Sequence, residues 1–359
     1  MLKTFSKTPK SENVKILERL SAKDKAYFVG LIDGSGMFHV EKNGIYVKYS
    51  LNLNVLRLNL PLLNMLNKKF GNQGVIIHRA KNINGVISSM TSILKFSKKQ
   101  FLIDVIIPIF DDYPMLITDL AQYKYFKYHL LKGTTKYSDL YLISESCSNL
   151  SKSDIVKLPY FIDWLIGFLE VKCFFFTYFT AKNHKSRYED FVASCEVSLV
   201  DNIELLEAIR YVIGVNTNVY LNKKQNKLKI SSTIDLIEFI IFLDRAEVKL
   251  FGLKRFEYLL FLAKAVKLNK FLEMTINGKI VNHYKFYEAD HPNWRSAKMV
   301  SLILSNMENS EYLKLPIDNC IDISYLGITM DEFILGDLGN IDVSLVDLTI
   351  LPRLPKNNQ

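Results

Sequence analysis

Two nine-residue stretches decide the fold: Phe28-Val-Gly-Leu-Ile-Asp-Gly-Ser-Gly36 and Leu165-Ile-Gly-Phe-Leu-Glu-Val-Lys-Cys173. Each ends an apolar helix and leads into a run of strand-forming residues. The first helix has a sequence start signal, because Ser21 is followed three residues later by Asp24, a capping-box pattern. Gly34-Ser35-Gly36 is expected to stop it. Gly30 and Gly34 stand four apart and share one helix face, and Gly167 holds the matching place in the second helix. Glycines there let two helix backbones touch, so Gly30, Gly34 and Gly167 are expected at a helix–helix interface.

The order of elements after the first stretch is repeated after the second. Met37–Val40 and Ile45–Leu53 read as strands joined at Asn43-Gly44, a strong hairpin signal. Leu60–Phe70 reads as a helix closed by Gly71. Gly74–Arg79 and Ser88–Phe96 read as a second hairpin around Asn84-Gly85. Lys98–Phe110 and Met115–Leu131 read as helices. In the second half the order returns: a helix over Tyr160–Glu170, strands over Cys173–Thr180 and Phe191–Leu199, and a helix over Asn202–Ile213 closed by Gly214. A short hairpin (Asn218–Leu221 with Leu228–Ser231) and helices over Ile234–Leu243 and Leu250–Lys267 complete it. Phe28 and Leu165 are 137 positions apart, so the chain carries an internal duplication. The expected layout is a lead-in over 1–20, a first domain over 21–131, a polar Ser-rich linker over 132–158, a second domain over 159–269 and an extension over 270–359.

Charge divides along the same line. The chain of 359 residues has net charge +9. Residues 1–269 hold 38 Lys/Arg against 25 Asp/Glu, and residues 270–359 hold 8 against 12. A body at +13 points to an anionic partner, most often nucleic acid. The extension has seven acids and no base between Lys314 and Arg353, yet is apolar enough not to be a solvated tail. Hydrophobic residues at 49% exclude a disordered chain. The four cysteines, Cys147, Cys173, Cys195 and Cys320, show no CxxC pair and no zinc spacing, which argues against a disulfide scaffold. The longest apolar runs, Phe101–Phe110 and Ile234–Leu243, fall well short of the roughly 18–20 residues of a membrane span.

The two stretches resemble the LAGLIDADG motif of homing endonucleases and group I intron maturases, of the single-chain type with two motifs. The resemblance extends through the duplicated order over about residues 20–268, including Leu60-Pro-Leu-Leu, Phe70-Gly71, Asp201-Asn-Ile-Glu-Leu-Leu, Ile213-Gly214 and Lys249–Tyr258. It implies an α+β fold of two pseudo-symmetric domains. Each is a curved antiparallel sheet backed by helices, and the motif helices meet between them as one monomeric body with a C-terminal extension. It also implies a nucleic-acid-binding saddle and, in active members, a divalent metal held by a carboxylate at the eighth motif position of each copy.

Those carboxylates are missing. The eighth positions are Ser35 and Lys172; a hydroxyl is a poor sole ligand for magnesium, and an ammonium repels it. The acids Asp33 and Glu170 match the sixth position, which the family uses to brace the helix end. Of the basic residues the family places near the scissile phosphates, Lys254 is retained and Asp119 reverses the charge. The resemblance therefore implies no catalytic residues, no metal and no cofactor, with Mg only if cleavage survives. Lys172 is expected to sit where a metal would, touching a phosphate or pairing with Asp33 or Glu170.

Phosphate contacts are expected from basic residues on the strands and their loops. In the first half these are Lys42, Lys48, Arg57, His78, Arg79, Lys81 and Lys95. In the second they are Lys182, Lys185, Arg187, Lys223, Lys224, Lys227 and Lys229. Tyr46, Tyr49, Tyr178 and Phe179 alternate with them, as core residues or as platforms for unpaired bases. The expected function is structured-RNA binding without cleavage, as an intron maturase or a component of an organellar ribonucleoprotein. The alternatives are a DNA homing endonuclease on duplex DNA and a scaffold docked to a protein through residues 270–359. Residues with AT-rich codons, Asn, Lys, Ile, Phe and Tyr, fit a mitochondrial or other organellar gene, and no membrane association is expected.

Overall fold

The computed structural model describes residues 11–83, 86–117, 120–142, 150–179, 191–223, 225–268 and Asp322. The first half begins with α1 (Glu12–Arg19) and α2 (Ala22–Ser35), followed by the hairpin β1 (Gly36–Asn43) and β2 (Tyr46–Leu56). Then come α3 (Leu60–Lys69), a second hairpin of β3 (Val75–Ile83) and β4 (Val86–Phe96), α4 (Lys99–Phe101), a π-helical stretch over Leu102–Ile106, α5 (Ile107–Asp112) and α6 (Leu120–Lys132). The short α7 (Lys152–Val156) precedes the second half. That half comprises α8 (Phe161–Lys172), β5 (Cys173–Phe179), β6 (Phe191–Leu199), α9 (Ile203–Ile213), β7 (Tyr220–Asn222), β8 (Gln225–Ile230), α10 (Thr233–Arg245) and α11 (Gly252–Leu268).

The two sheets share one topology. Their strand orders are β1-β2-β4-β3 and β5-β6-β8-β7, and every pairing is antiparallel. Cross-strand partners share a face. In the first sheet, Phe38, Leu51, Leu53, Leu94 and Phe96 turn inward to the helices and are buried. In the second, Cys173, Cys195, Val197, Leu228 and Ile230 do the same. The remaining face of each sheet is open. Aromatic rings fill the first core: Phe28 lies 4.6 Å from Phe70, and Phe38 lies 5.0 Å from both Phe110 and Phe126.

Local signals explain most boundaries. Ser21 and Asp24 form the reciprocal capping box on α2. Gly36 does not form a left-handed stop, because its φ of −90° and ψ of 167° run straight into β1. Residues 113–117 are not helical, although the pattern predicts a helix from Met115. Pro114 disfavours a helical residue before it, and the Leu116 N–H donates to Asp33 instead of an earlier carbonyl. Within the predicted linker, Lys136 bridges to Tyr46 and α7 buries Ile155.

Candidate nucleic-acid interface

α2 and α8 pack backbone to backbone. A Cβ at Gly30 would stand 1.9 Å from the Trp164 carbonyl oxygen, and one at Gly167 would stand 2.0 Å from that of Tyr27. Gly34 faces Val171 and Lys172 of α8 at the end of the same contact. This close approach brings the last turns of both helices, with Ser35 and Lys172, to one place.

The sixth-position acids brace that place symmetrically. Asp33 is 6% exposed, and its Oδ2 accepts from the Leu116 N–H at 2.9 Å and the Trp164 Nε1–H at 2.8 Å. Glu170 is 2% exposed, and its Oε2 accepts from the Phe251 N–H at 2.7 Å and the Tyr27 hydroxyl at 3.3 Å. Each acid thus takes one bond from the segment leading to the last long helix of its own half. The other comes from the residue just before the partner motif. Burial pushes the Glu170 carboxyl up to about 8, although the Phe251 N–H, Lys254 and Tyr27 all oppose the rise. At neutral pH this group is largely the neutral acid.

The eighth positions are committed elsewhere. The Ser35 hydroxyl donates to the Asn54 carbonyl at 2.6 Å. Lys172 is half-buried and, among the described residues, makes no ion pair with Asp33 or Glu170. The expected pairing is absent because both acids are already engaged by buried donors on their inner side. Lys254 is buried beside Glu170, its ammonium 2.5 Å from Glu257 Oε2 and 5.3 Å from the centre of the Phe174 ring. Asn59 fixes this cluster from the other half, accepting from the Leu253 N–H at 2.9 Å. Gly252 permits that approach: its φ is +55°, and a Cβ there would meet Asn59 Oδ1 at 2.1 Å. Sequence reasoning misses Asn59 and Glu257, whose only local signals are a cap position before Leu60 and an i,i+3 spacing from Lys254.

These groups line a pocket of about 330 Å³ between the halves, with Ser35, Asn54, Thr91, Glu170, Lys254 and Glu257 as its polar walls. Divalent magnesium wants several hard, anionic or neutral oxygens in octahedral array. The pocket offers one neutral hydroxyl, a buried carboxyl that already accepts from two donors and a carboxylate paired to an ammonium. That donor set does not fit a divalent metal. Among the described residues, no three His, Cys, Asp or Glu side chains converge on one point.

The basic residues separate by face. Lys48 opposes Glu41, Lys95 opposes Asn52 and Arg79 opposes Thr91 on the open face of the first sheet. Lys227 and Lys229 oppose Ser198 and Glu196 on the open face of the second. Lys223 is exposed in the turn between β7 and β8, with φ of 58°. Lys42 and His78 stand on the helix-side register of their strands, and both are exposed. Lys42 opposes Val47 and sits over the Tyr137 ring at 5.6 Å. His78 opposes Ser92 and bonds its hydroxyl at 2.9 Å; burial, with Arg57 nearby, lowers its pKa. Arg57 follows β2 and pairs with Asp322 of the extension at 3.5 Å, while the Asp322 N–H donates to the Leu58 carbonyl at 2.9 Å. Lys227 is held by Glu196 at 2.5 Å, and Lys95 stands 4.0 Å from Glu41. Tyr46 is exposed, whereas Tyr49 faces inward and donates to the Thr134 carbonyl. Asp119, Lys182, Lys185, Arg187, Lys224 and the side chains of Lys81, Tyr178 and Phe179 lie outside the described residues.

The two motif helices in contact, each leading into a four-stranded antiparallel sheet of identical order, are the arrangement that the motifs imply. The model of the LAGLIDADG endonuclease family matches residues 28–130. That match spans less than a third of the chain. The chain is 23% identical over 333 residues to the uncharacterized mitochondrial protein RF1 of Saccharomyces cerevisiae, a match spanning 84% of this chain and 67% of that one. Its fold resembles meganuclease I-SmaMI bound to uncleavable DNA (TM-score 0.55, 19% identity, 74% of this chain and 97% of that one). It also resembles LAGLIDADG meganuclease I-CpaMI bound to uncleaved DNA (TM-score 0.54, 15% identity, 73% and 95%). Among the described residues, no helix is long and apolar enough to cross a membrane.

Proposed function

We propose that this LAGLIDADG chain binds structured RNA in the mitochondrion without cutting nucleic acid, as an intron maturase or a ribonucleoprotein component. The observation that carries the reading is the pair of eighth positions. Ser35 spends its hydroxyl proton on the Asn54 carbonyl, and Lys172 brings a positive charge where the family chemistry needs a negative one. Without anionic ligands there is no metal to generate hydroxide or to stabilise a leaving oxygen. The grip is a separate matter. Lys48, Arg79, Lys95, Lys223 and Lys229 are candidates for phosphate contact, and the body of the chain is strongly basic. The mitochondrial relative supports the compartment. The two halves over 21–131 and 159–269 form the binding body, and residues 270–359 are a candidate handle for a protein partner.

The second reading is a DNA endonuclease, favoured by solved neighbours that hold DNA and by two carboxyls, Glu170 and Glu257, on the pocket wall. One experiment separates the two. The purified chain is incubated with magnesium and a plasmid library, and its binding to structured RNA and to duplex DNA is measured across a salt titration. No cuts, with tight RNA binding whose log K falls by about 0.7–0.9 per phosphate neutralised, supports the first reading. Metal-dependent cutting overturns it. The variant Ser35→Asp/Lys172→Asp, if it gains magnesium-dependent nicking, ties the loss to those two positions.

A further inference from the structure

The open face of the second sheet carries two half-exposed rings. Phe174 and Phe176 are 48% and 43% exposed, and their planes lie 23° from parallel with centroids 6.4 Å apart. Their exposure follows from the register. Alternation along β5 sends Phe175 inward and turns its two neighbours outward. Their cross-strand partners are Glu196 and Ser194, and neither offers apolar cover. Tyr220, 41% exposed, stands on the same face across β8 through Lys227. Exposed rings grouped on one face mark a contact surface.

The charges around the pair indicate what the contact is. Lys227 is neutralised by Glu196, and Lys254, over the Phe174 face, is neutralised by Glu257. The patch presents flat apolar surface, which suits a planar group, with Lys229 on the same face opposite Glu196. Phe174 is also a wall of the pocket between the halves. The pocket is at the lower end of the roughly 300–1,000 Å³ range of ligand sites. Asn54, Thr91 and Ser35 supply hydrogen-bonding groups beside the ring.

We propose that Phe174 and Phe176 are a stacking platform for successive unpaired RNA bases, with the base on Phe174 entering the pocket between the motif helix ends. This rests on the reading of the chain as an RNA-binding protein and narrows its ligand to RNA with exposed bases. Bases within a duplex are already stacked and cannot present a face to the rings, whereas single strands, loops and bulges can. Stacking tolerates any base, so the platform supplies affinity for unpaired RNA rather than sequence choice.

The test uses the full chain and two labelled RNAs, an unstructured 12-mer and a blunt 12-base-pair duplex, with binding followed by fluorescence anisotropy. Phe174→Leu/Phe176→Leu keeps apolar bulk at exposed positions and removes the rings; Phe174→Trp keeps a ring. The expected result is a drop of about ten- to a hundred-fold in affinity for the 12-mer with the leucine pair. Duplex binding and the salt slope stay unchanged, and the tryptophan variant retains affinity for the 12-mer. Equal losses on both RNAs, or no loss on the 12-mer, overturn the platform while leaving RNA binding in place. Failure of the wild-type chain to bind either RNA overturns the RNA reading and the platform with it.

Discussion

Glu170→Gln gives the most direct test of the physical picture at the domain junction. Glu170 is buried, and its folded pKa is pushed to about 8 from an ordinary value of 4.5. Between those values the unfolded chain has lost this proton and the folded chain still holds it. Stability is therefore fully present below about pH 4.5, falls as pH rises, and is lost once pH passes about 8. The slope is about 1.4 kcal/mol per pH unit, and the full loss is roughly 5 kcal/mol, of which about 3 has gone by pH 7. Glutamine cannot titrate. Its carbonyl can still accept from the Phe251 N–H and the Tyr27 hydroxyl, and its amide would occupy the site of Oε1, which has no hydrogen-bond partner among the described residues. That amide sets a constant offset and leaves the slope untouched. The assay is urea unfolding from pH 5 to 9, read by fluorescence of Trp164, which lies in the helix interface. Taking wild type minus variant cancels every group that titrates in both. The difference should change by about 1.4 kcal/mol per unit between pH 5 and 7.5 and flatten above pH 8. Parallel stability curves over that range would refute a neutral Glu170 and, with it, the lack of an anionic ligand at that wall of the pocket.

Three further outcomes concern the same junction. Lys254→Met removes a charge that holds the Glu170 pKa down, so the pH at which the wild-type slope flattens should move above 8, read in the same titration. Gly30→Ala should cost about 2 kcal/mol or more in urea unfolding, because overpacking a helix contact at 1.9 Å outweighs the ~1 kcal/mol that alanine gains in helix propensity; a stabilised variant would contradict the close helix contact. Asn59→Ala frees the Leu253 N–H and should lower stability by about 0.5–2 kcal/mol as a lost helix cap, seen as a shifted urea midpoint at unchanged slope.

The sequence is most legible where structure is local. The Ser21–Asp24 capping box, the Asn43-Gly44 turn and the two motif stretches can be read directly, since each signal and its consequence lie within a few residues. β5 is less legible. Cys173–Phe179 is apolar at nearly every position, so a period of two cannot say which rings face inward; the register with β6 decides it. The start of the helix after Pro114 is misread from local pattern because the Leu116 N–H is claimed by Asp33, 83 positions away. Asn59 escapes notice for the same reason, since its partner Leu253 is 194 positions on. Faces of basic residues fall between these cases. Arg79 and His78 look alike in the sequence, yet adjacent strand positions put them on opposite sides of the sheet.

The junction also explains why the two kinds of motif position differ in this chain. Asp33 and Glu170 each satisfy two buried donors, one from each half of the molecule or the segment that joins them. Removing either would orphan those donors at a cost of roughly 1–3 kcal/mol apiece, a large share of the roughly 5–15 kcal/mol that holds a domain folded. The fold itself therefore requires the sixth position, whatever the protein does. The eighth position carries no such demand. Ser35 is half-exposed and bonds a carbonyl that water could equally serve, and Lys172 is half-buried at the end of α8. An acid at either place would be required only by a metal. On the proposed reading, with no cutting to preserve, those two side chains are free to change while the helices, the glycine contact and both sheets stay intact. A paired comparison makes the asymmetry measurable: Asp33→Ala, which removes the acceptor of both donors, should lower stability by at least about 1 kcal/mol, whereas Ser35→Ala should shift it by less than about 0.5 kcal/mol. Equal costs at the two positions would mean that the fold, not the chemistry, selects both.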